Sequence, residues 1–296
     1  MRPPALVERF LAAFHDADPG GTARAFAGVP LAAPGGAAGS PADGYTLLAR
    51  ALADAEPALP PGALLDLGCG CGLLLAQLRP LTGRALLGAD LSAGELAAAR
   101  HRLAGSTGVA LHRARAQALP LRDGALAAVL SHMALMLMAE PEQVVAELAR
   151  VLAPGGRLLA LVPAAPPAGE PADALTAAWL AALGGRPRAA RWQGLRFEGR
   201  RWRDPASLAA LLAPGFEAPR CTPLHGALRL SPGQAWQHFI GLYDLHLLPD
   251  ADWPAVQLDF LGRAAALRDD DGLLHLPLPR LLVDARRRGR AAETRR

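Results

Sequence analysis

Apolar positions recur along this chain with two different periods, and the changes between them mark its elements. Residues 5–15 put Leu6, Phe10, Ala13 and Phe14 on one helical face. Asp18-Pro19-Gly20-Gly21 breaks that helix, a short helix over 22–27 follows, and residues 28–42 read as a Gly/Pro/Ala loop. Another helix is expected over 45–55, stopped by Pro57. From there short apolar runs at 63–67, 84–90, 109–112, 126–131 and 157–162 alternate with helical spacing at 72–79, 92–103 and 141–152. Strand–helix alternation of this kind predicts an α/β protein with a doubly wound, mostly parallel sheet. The run 126–131 is apolar throughout, as a strand buried on both faces must be. Ser92-Ala93-Gly94-Glu95 has the form of a capping box, and Pro141 opens its helix where a missing N–H costs nothing. Beyond Pro163 the pattern loosens. Helices are expected at 173–183, 205–212, 231–245 and 254–267, and strands near 217–230 and 273–283.

Composition narrows the class. At 296 residues and 51% hydrophobic, the chain is globular and long enough to bury a large core. It contains no lysine and no asparagine, a coding bias rather than a functional signal. The net charge is +4, but the tail from Arg286 onward carries +5, leaving −1 for the other 285 residues. A nucleic-acid surface is therefore not expected on the body. The three cysteines, two of them as Cys69-x-Cys71, form neither a disulfide framework nor a metal site. A cytoplasmic, reducing location fits. Glu8 and Arg9 interrupt the N-terminal apolar stretch, and the longest apolar run, 125–139, is too short to span a bilayer. No membrane partner is expected.

The candidate chemistry centres on Leu64-Leu65-Asp66-Leu67-Gly68-Cys69-Gly70-Cys71-Gly72. A strand there ends in an acid and runs through a glycine turn into a helix N-terminus, a place where backbone and dipole meet a ligand closely. A second acid, Asp90, closes the next strand at Leu87-Gly88-Ala89-Asp90-Leu91-Ser92. Dinucleotide enzymes use a similar device, but their last two glycines are spaced by two residues, not one. Together the two segments resemble the class I S-adenosylmethionine (SAM) dependent methyltransferases, and Glu147-Leu148-Ala149-Arg150-Val151-Leu152-Ala153-Pro154-Gly155-Gly156 extends the resemblance over roughly 45–165.

That resemblance implies a Rossmann-like, seven-stranded sheet whose last strand, at 273–283, is antiparallel. It divides the chain into an N-terminal helical lid (1–56), a SAM-binding core (57–165), a cap with the rest of the sheet (166–285) and a basic tail (286–296) expected to be disordered. Asp90 would accept from both ribose hydroxyls, and Asp66 would orient the turn or meet the methionine amine. Gly68, Cys69 and Gly70 would form the ligand turn, and Leu91 would pack on adenine. The family's acid-Ala-x-x-Leu-Pro segment is here Arg115-Ala116-Gln117-Ala118-Leu119-Pro120. Arginine accepts no hydrogen bond, so adenine recognition falls to Ala116 and Gln117, or the base stacks differently.

Ser131-His132-Met133 ends the fourth core strand at the cleft mouth. There His132 is either a general base or a packed histidine. Tyr45, one of only two tyrosines with Tyr243, offers a ring face to a sulfonium. The Arg- and Trp-rich stretch 186–203 suits a carboxylate or phosphate on a compact acceptor, or is a solvated arginine face. The leading expectation is methyl transfer to a small molecule by a monomer or homodimer. The Ser131–Met138 segment and the N-terminal cap also bear a weaker resemblance to SAM-cyclising azetidine-2-carboxylate synthases of the same fold. Cyclisation of SAM, aminocarboxypropyl transfer and non-catalytic SAM sensing are the alternatives.

Overall fold

The computed structural model describes residues 5–33, 41–165 and 173–289. In order they form α1 (Leu6–Ala17), α2 (Gly21–Phe26), β1 (Leu31–Ala32), α3 (Gly44–Ala55), β2 (Ala63–Leu67), α4 (Leu73–Leu78), β3 (Leu86–Asp90), α5 (Ala93–Arg102), β4 (Val109–Arg113) and β5 (Leu126–His132). There follow α6 (Pro141–Val151), β6 (Leu152–Pro163), α7 (Ala174–Leu183), α8 (Pro205–Leu212), β7 (Arg220–Leu230), α9 (Pro232–Ile240), α10 (Trp253–Ala265), β8 (Leu274–Pro277) and β9 (Arg280–Arg286).

Seven strands lie side by side in the order β4-β3-β2-β5-β6-β9-β7. Strands β2 to β6 are parallel, and β9 runs antiparallel to both of its neighbours. This is the expected Rossmann-like architecture. Two short strands extend it to nine: β1 pairs with Gly226 and His225 of β7, and β8 pairs with residues 227–230. The run 273–283, expected as one strand, is two, because Pro277 and Pro279 remove ladder donors in its middle. The helix expected over 231–245 stops at Ile240, where Gly241 follows.

Successive residues of each central strand point to opposite faces, so the sheet has a core on each side. Leu64, Leu130 and Leu161 face α3, α4, α7 and α10 through Leu48, Leu75, Trp179 and Phe260. Leu65, Val129 and Ala160 face α6 and α8 through Val144, Leu148, Leu208 and Leu212. Trp179 stacks on Phe239 with centroids 5.0 Å apart and meets the edge of Phe260 at 5.5 Å. A smaller core joins α1 to the segment after β6: Phe10 packs its ring edge-on against Trp192 at 5.0 Å, beside Leu195 and Leu247.

The basic tail begins later than expected. Arg286 is paired with Arg157 in the ladder, Arg287 donates its backbone N–H to Gly156, and Arg288 donates from its guanidinium to the Phe216 carbonyl. Residues 290–296 lie outside those described. Among the described residues no helix is long and apolar enough to cross a membrane.

Candidate active site

At the carboxyl ends of β2, β3 and β5, the strand termini open into a cavity. The glycine turn forms its floor. Gly68 and Gly70 take positive φ of 74° and 48°, and a Cβ on Gly68 would lie 2.5 Å from Cβ of Ala134. Only glycine satisfies both the backbone and the space there. Asp90 fixes this turn to the start of α5 by accepting from the backbone N–H groups of Gly70 and Ser92, each at 2.9 Å. Each carboxylate oxygen keeps a lone pair for a further donor.

Asp66 is 2% exposed, and its Oδ2 has no hydrogen-bond partner among the described residues. Burial first, and then the negative charge of Asp90, push its pKa up to about 8. Burial also raises Asp90. Two neighbouring acids short of cationic partners form a pocket floor that favours a ligand ammonium. Gln117 donates to the Ala139 carbonyl at 2.5 Å, leaving its buried Oε1 unpaired at the far end of the cavity.

Tyr45 and His132 stack face to face, with centroids 3.8 Å apart and planes 19° apart. Gly44 permits this, since a Cβ there would lie 2.4 Å from His132 Nε2. Burial, then the positive charge of Arg280, lower the His132 pKa to about 3, and Asp43 offsets this only in part. The imidazole is neutral at physiological pH. Burial also holds the phenols of Tyr45 and Tyr243 well above their usual range.

Asp66, Gly68, Cys69, Gly70, Asp90, Leu91, Ala116, Gln117, His132, Met133 and Tyr45 all line the cavity. Ser131 does not: it is fully buried, and its hydroxyl donates to the Leu67 carbonyl at 2.9 Å, tying β5 to β2. The arginine-rich stretch is also engaged elsewhere. Arg186 and Arg188 donate to the carbonyls of Ala182 and Leu195, Arg201 pairs with Glu142, and Arg191 lies over Trp192.

Several contributors from the first helix escaped the sequence reading. Glu8, 3% exposed, lines the cavity and pairs with Arg115 at 2.9 Å, so an acid does stand beside the departing position, delivered by α1. Glu95 does not close the expected capping box. It accepts from the Gly20 N–H at 3.0 Å through both oxygens and lies 3.3 Å from His15 Nδ1, while Ser92 Oγ still caps the Glu95 N–H. The signal for Glu8 was an acid on the apolar stretch of a helix, which demands a buried partner.

Residues 65–160 match the methyltransferase-domain family model. A demethylmenaquinone methyltransferase from Thermus thermophilus is 40% identical over 111 residues, 37% of this chain and 50% of that protein. A malonyl-[acyl-carrier protein] O-methyltransferase from Methylococcus capsulatus is 37% identical over 103 residues, 33% of this chain and 36% of that protein. The chain spans between 31% and 50% of the length of such curated relatives. Phosphoethanolamine N-methyltransferase 2 from Haemonchus contortus, solved with S-adenosylhomocysteine, superposes over 96% of this chain and 60% of its own with a TM-score of 0.56 and 15% identity, a likeness of fold. The glycine turn, the two acids behind it and the strand order fit the cofactor of that domain family, S-adenosyl-L-methionine. Residues 65–160 thus match a methyltransferase domain, and the strand order around them is Rossmann-like.

Proposed function

We propose that this chain transfers a methyl group from SAM to a small molecule that bears a carboxylate. One observation carries the reading: a single cavity joins the glycine turn, Asp90 and the unpaired Oδ2 of Asp66 on one side to the Tyr45–His132 stack on the other. SAM supplies a methyl group made electrophilic by its sulfonium. Asp90 would hold the ribose hydroxyls, Asp66 the ammonium, and Leu91 the adenine face. Gln117 Oε1 would accept from the adenine amino group in place of the acid that Arg115 replaces. The Tyr45 ring suits the sulfonium.

The protonation states bear on the acceptor. His132 is too weakly basic and the two tyrosines too weakly acidic to serve as a proton acceptor near neutral pH. His132 then orients the acceptor through one hydrogen bond. A nucleophile already ionised in water, such as a carboxylate, needs no such base. The relative named as a malonyl-[acyl-carrier protein] O-methyltransferase supports methylation of an oxygen. The remaining contribution is proximity and exclusion of water by α1 and the segment packed on it. We further propose a monomer or homodimer in a reducing cytosol, since the three cysteines are free.

Incubating the purified protein with SAM tests the reaction. S-adenosylhomocysteine formed only when acceptor is supplied supports methyl transfer. Methylthioadenosine formed from SAM alone establishes cyclisation in its place, and tight SAM binding without turnover establishes a sensor.

A further inference from the structure

Behind the Tyr45–His132 stack lies a second, much smaller space, narrow enough that an anion would enter it only at its Arg280 side. Its walls include Phe26, Gly44, His132, Met133, Leu161 and Arg280. Phe26, His132 and Met133 also line the large cavity, so the two spaces share part of their walls.

Arg280 is the unusual member. It is 7% exposed, yet no carboxylate lies within ion-pairing distance of it among the described residues. Its guanidinium donates to the Pro279 carbonyl at 3.0 Å and sits 5.9 Å from the Phe26 ring centre. The charge it feels is that of another arginine, Arg203. The other arginine of its strand differs: Arg286 faces Glu217, while Asp284 of the same strand serves Arg157 of β6 and Arg220 of β7. A buried guanidinium with five donors and one carbonyl partner is costly unless a ligand completes it.

We propose that Arg280 binds an oxyanion of the methyl acceptor, a carboxylate or a phosphate, and thereby selects acceptors that carry one. This rests on the methyl-transfer reading for the identity of the ligand, but not for the presence of the anion site. The planar fork of arginine matches two oxygens of such a group, and the Phe26 face supports it from one side. Burial and repulsion by Arg203 hold the Arg280 pKa down to about 10, and an anion would relieve both.

The test uses the whole protein loaded with S-adenosylhomocysteine, with acetate, benzoate and inorganic phosphate as probes at constant ionic strength. We expect at least one probe to raise the melting temperature saturably over chloride, with at least tenfold weaker binding in Arg280→Met and intermediate binding in Arg280→Lys. The carboxylate and phosphate arms decide which oxyanion is meant. In chloride, Arg280→Met should melt no lower than the wild type, because the lost charge has no counter-ion; a merely structural arginine would melt lower. Equal probe binding by wild type and Arg280→Met, or none by wild type, overturns the site. Calorimetry with S-adenosylhomocysteine is read separately, so a protein that binds the anion but not the cofactor product overturns the methyl-transfer reading alone.

Discussion

Glu8 of α1 and Arg115, which follows β4, form an ion pair at 2.9 Å across the mouth of the large cavity, joining residues 107 positions apart. Glu8 is buried, and its second tie is to the Ala5 N–H, so Arg115 is what balances its charge. Arg115→Ala would leave that carboxylate uncompensated and should cost about 3 kcal/mol, as for other broken buried pairs. The double variant with Glu8→Gln should recover much of the loss. Thermal melts of the three variants check this, and additive losses would show that the two residues do not act on one another.

Asp66 gives the protein a pH signature. Its folded pKa of about 8 lies above the ordinary 3.8, so between these values the folded state holds a proton that the unfolded state has lost. Its contribution to stability therefore falls as pH rises from about 4 to about 8. Asp66→Asn should remove this slope and raise the melting temperature of the ligand-free protein at pH 8, while weakening SAM binding. A melting profile whose pH slope survives the substitution would assign the effect elsewhere.

Asp90→Ala should reduce SAM affinity by about 2–4 kcal/mol, the value of hydrogen bonds to a charged acceptor. It should also lower stability without ligand, because the N–H groups of Gly70 and Ser92 lose their acceptor. Asp90→Asn keeps one acceptor oxygen and should fall between. Calorimetry together with melts separates the two losses.

For His132, the lowered pKa predicts that turnover shows no limb near the usual histidine range of pH 6–7. The pH dependence of kcat at saturating acceptor checks this. His132→Ala should lower turnover through lost orientation and should also loosen Tyr45, visible as a change in tyrosine fluorescence.

Removing everything from Arg286 onward should destabilise the fold, whereas removal from 290 leaves the contacts of Arg286, Arg287 and Arg288 intact. Melts of the two truncations distinguish a docked segment from an idle one.

The sheet was legible because its central strands are buried on both faces, so residues 126–131 and 157–162 read as apolar runs, although the last of these strands begins earlier, at Leu152. The ligand turn was legible because Gly68 needs both a positive φ and room beside Ala134. What stayed hidden depends on pairs distant in sequence. Nothing local tells that Glu95 accepts from Gly20 and not from Ser92, or that Ser131 bonds Leu67. Arg280 was hidden differently. Read along the chain it is one more arginine, inside the strand expected over 273–283, and its burial without a carboxylate is visible only in the folded structure.

At the far end of α1, Asp16 Oδ1 accepts from Ser92 Oγ at 2.6 Å and from the Gly94 N–H at 2.8 Å. Its anchor is thus made some 76 residues after it. On the ribosome the first helix emerges before any surface exists for its apolar side, and loop closure over that distance must precede docking. Helix α1 is therefore made before the residues of α5 that hold its end. A nascent chain halted before Ser92 would carry residues 6–17 with their apolar side chains exposed and too short to hold a helix alone, the form in which a chaperone would meet them.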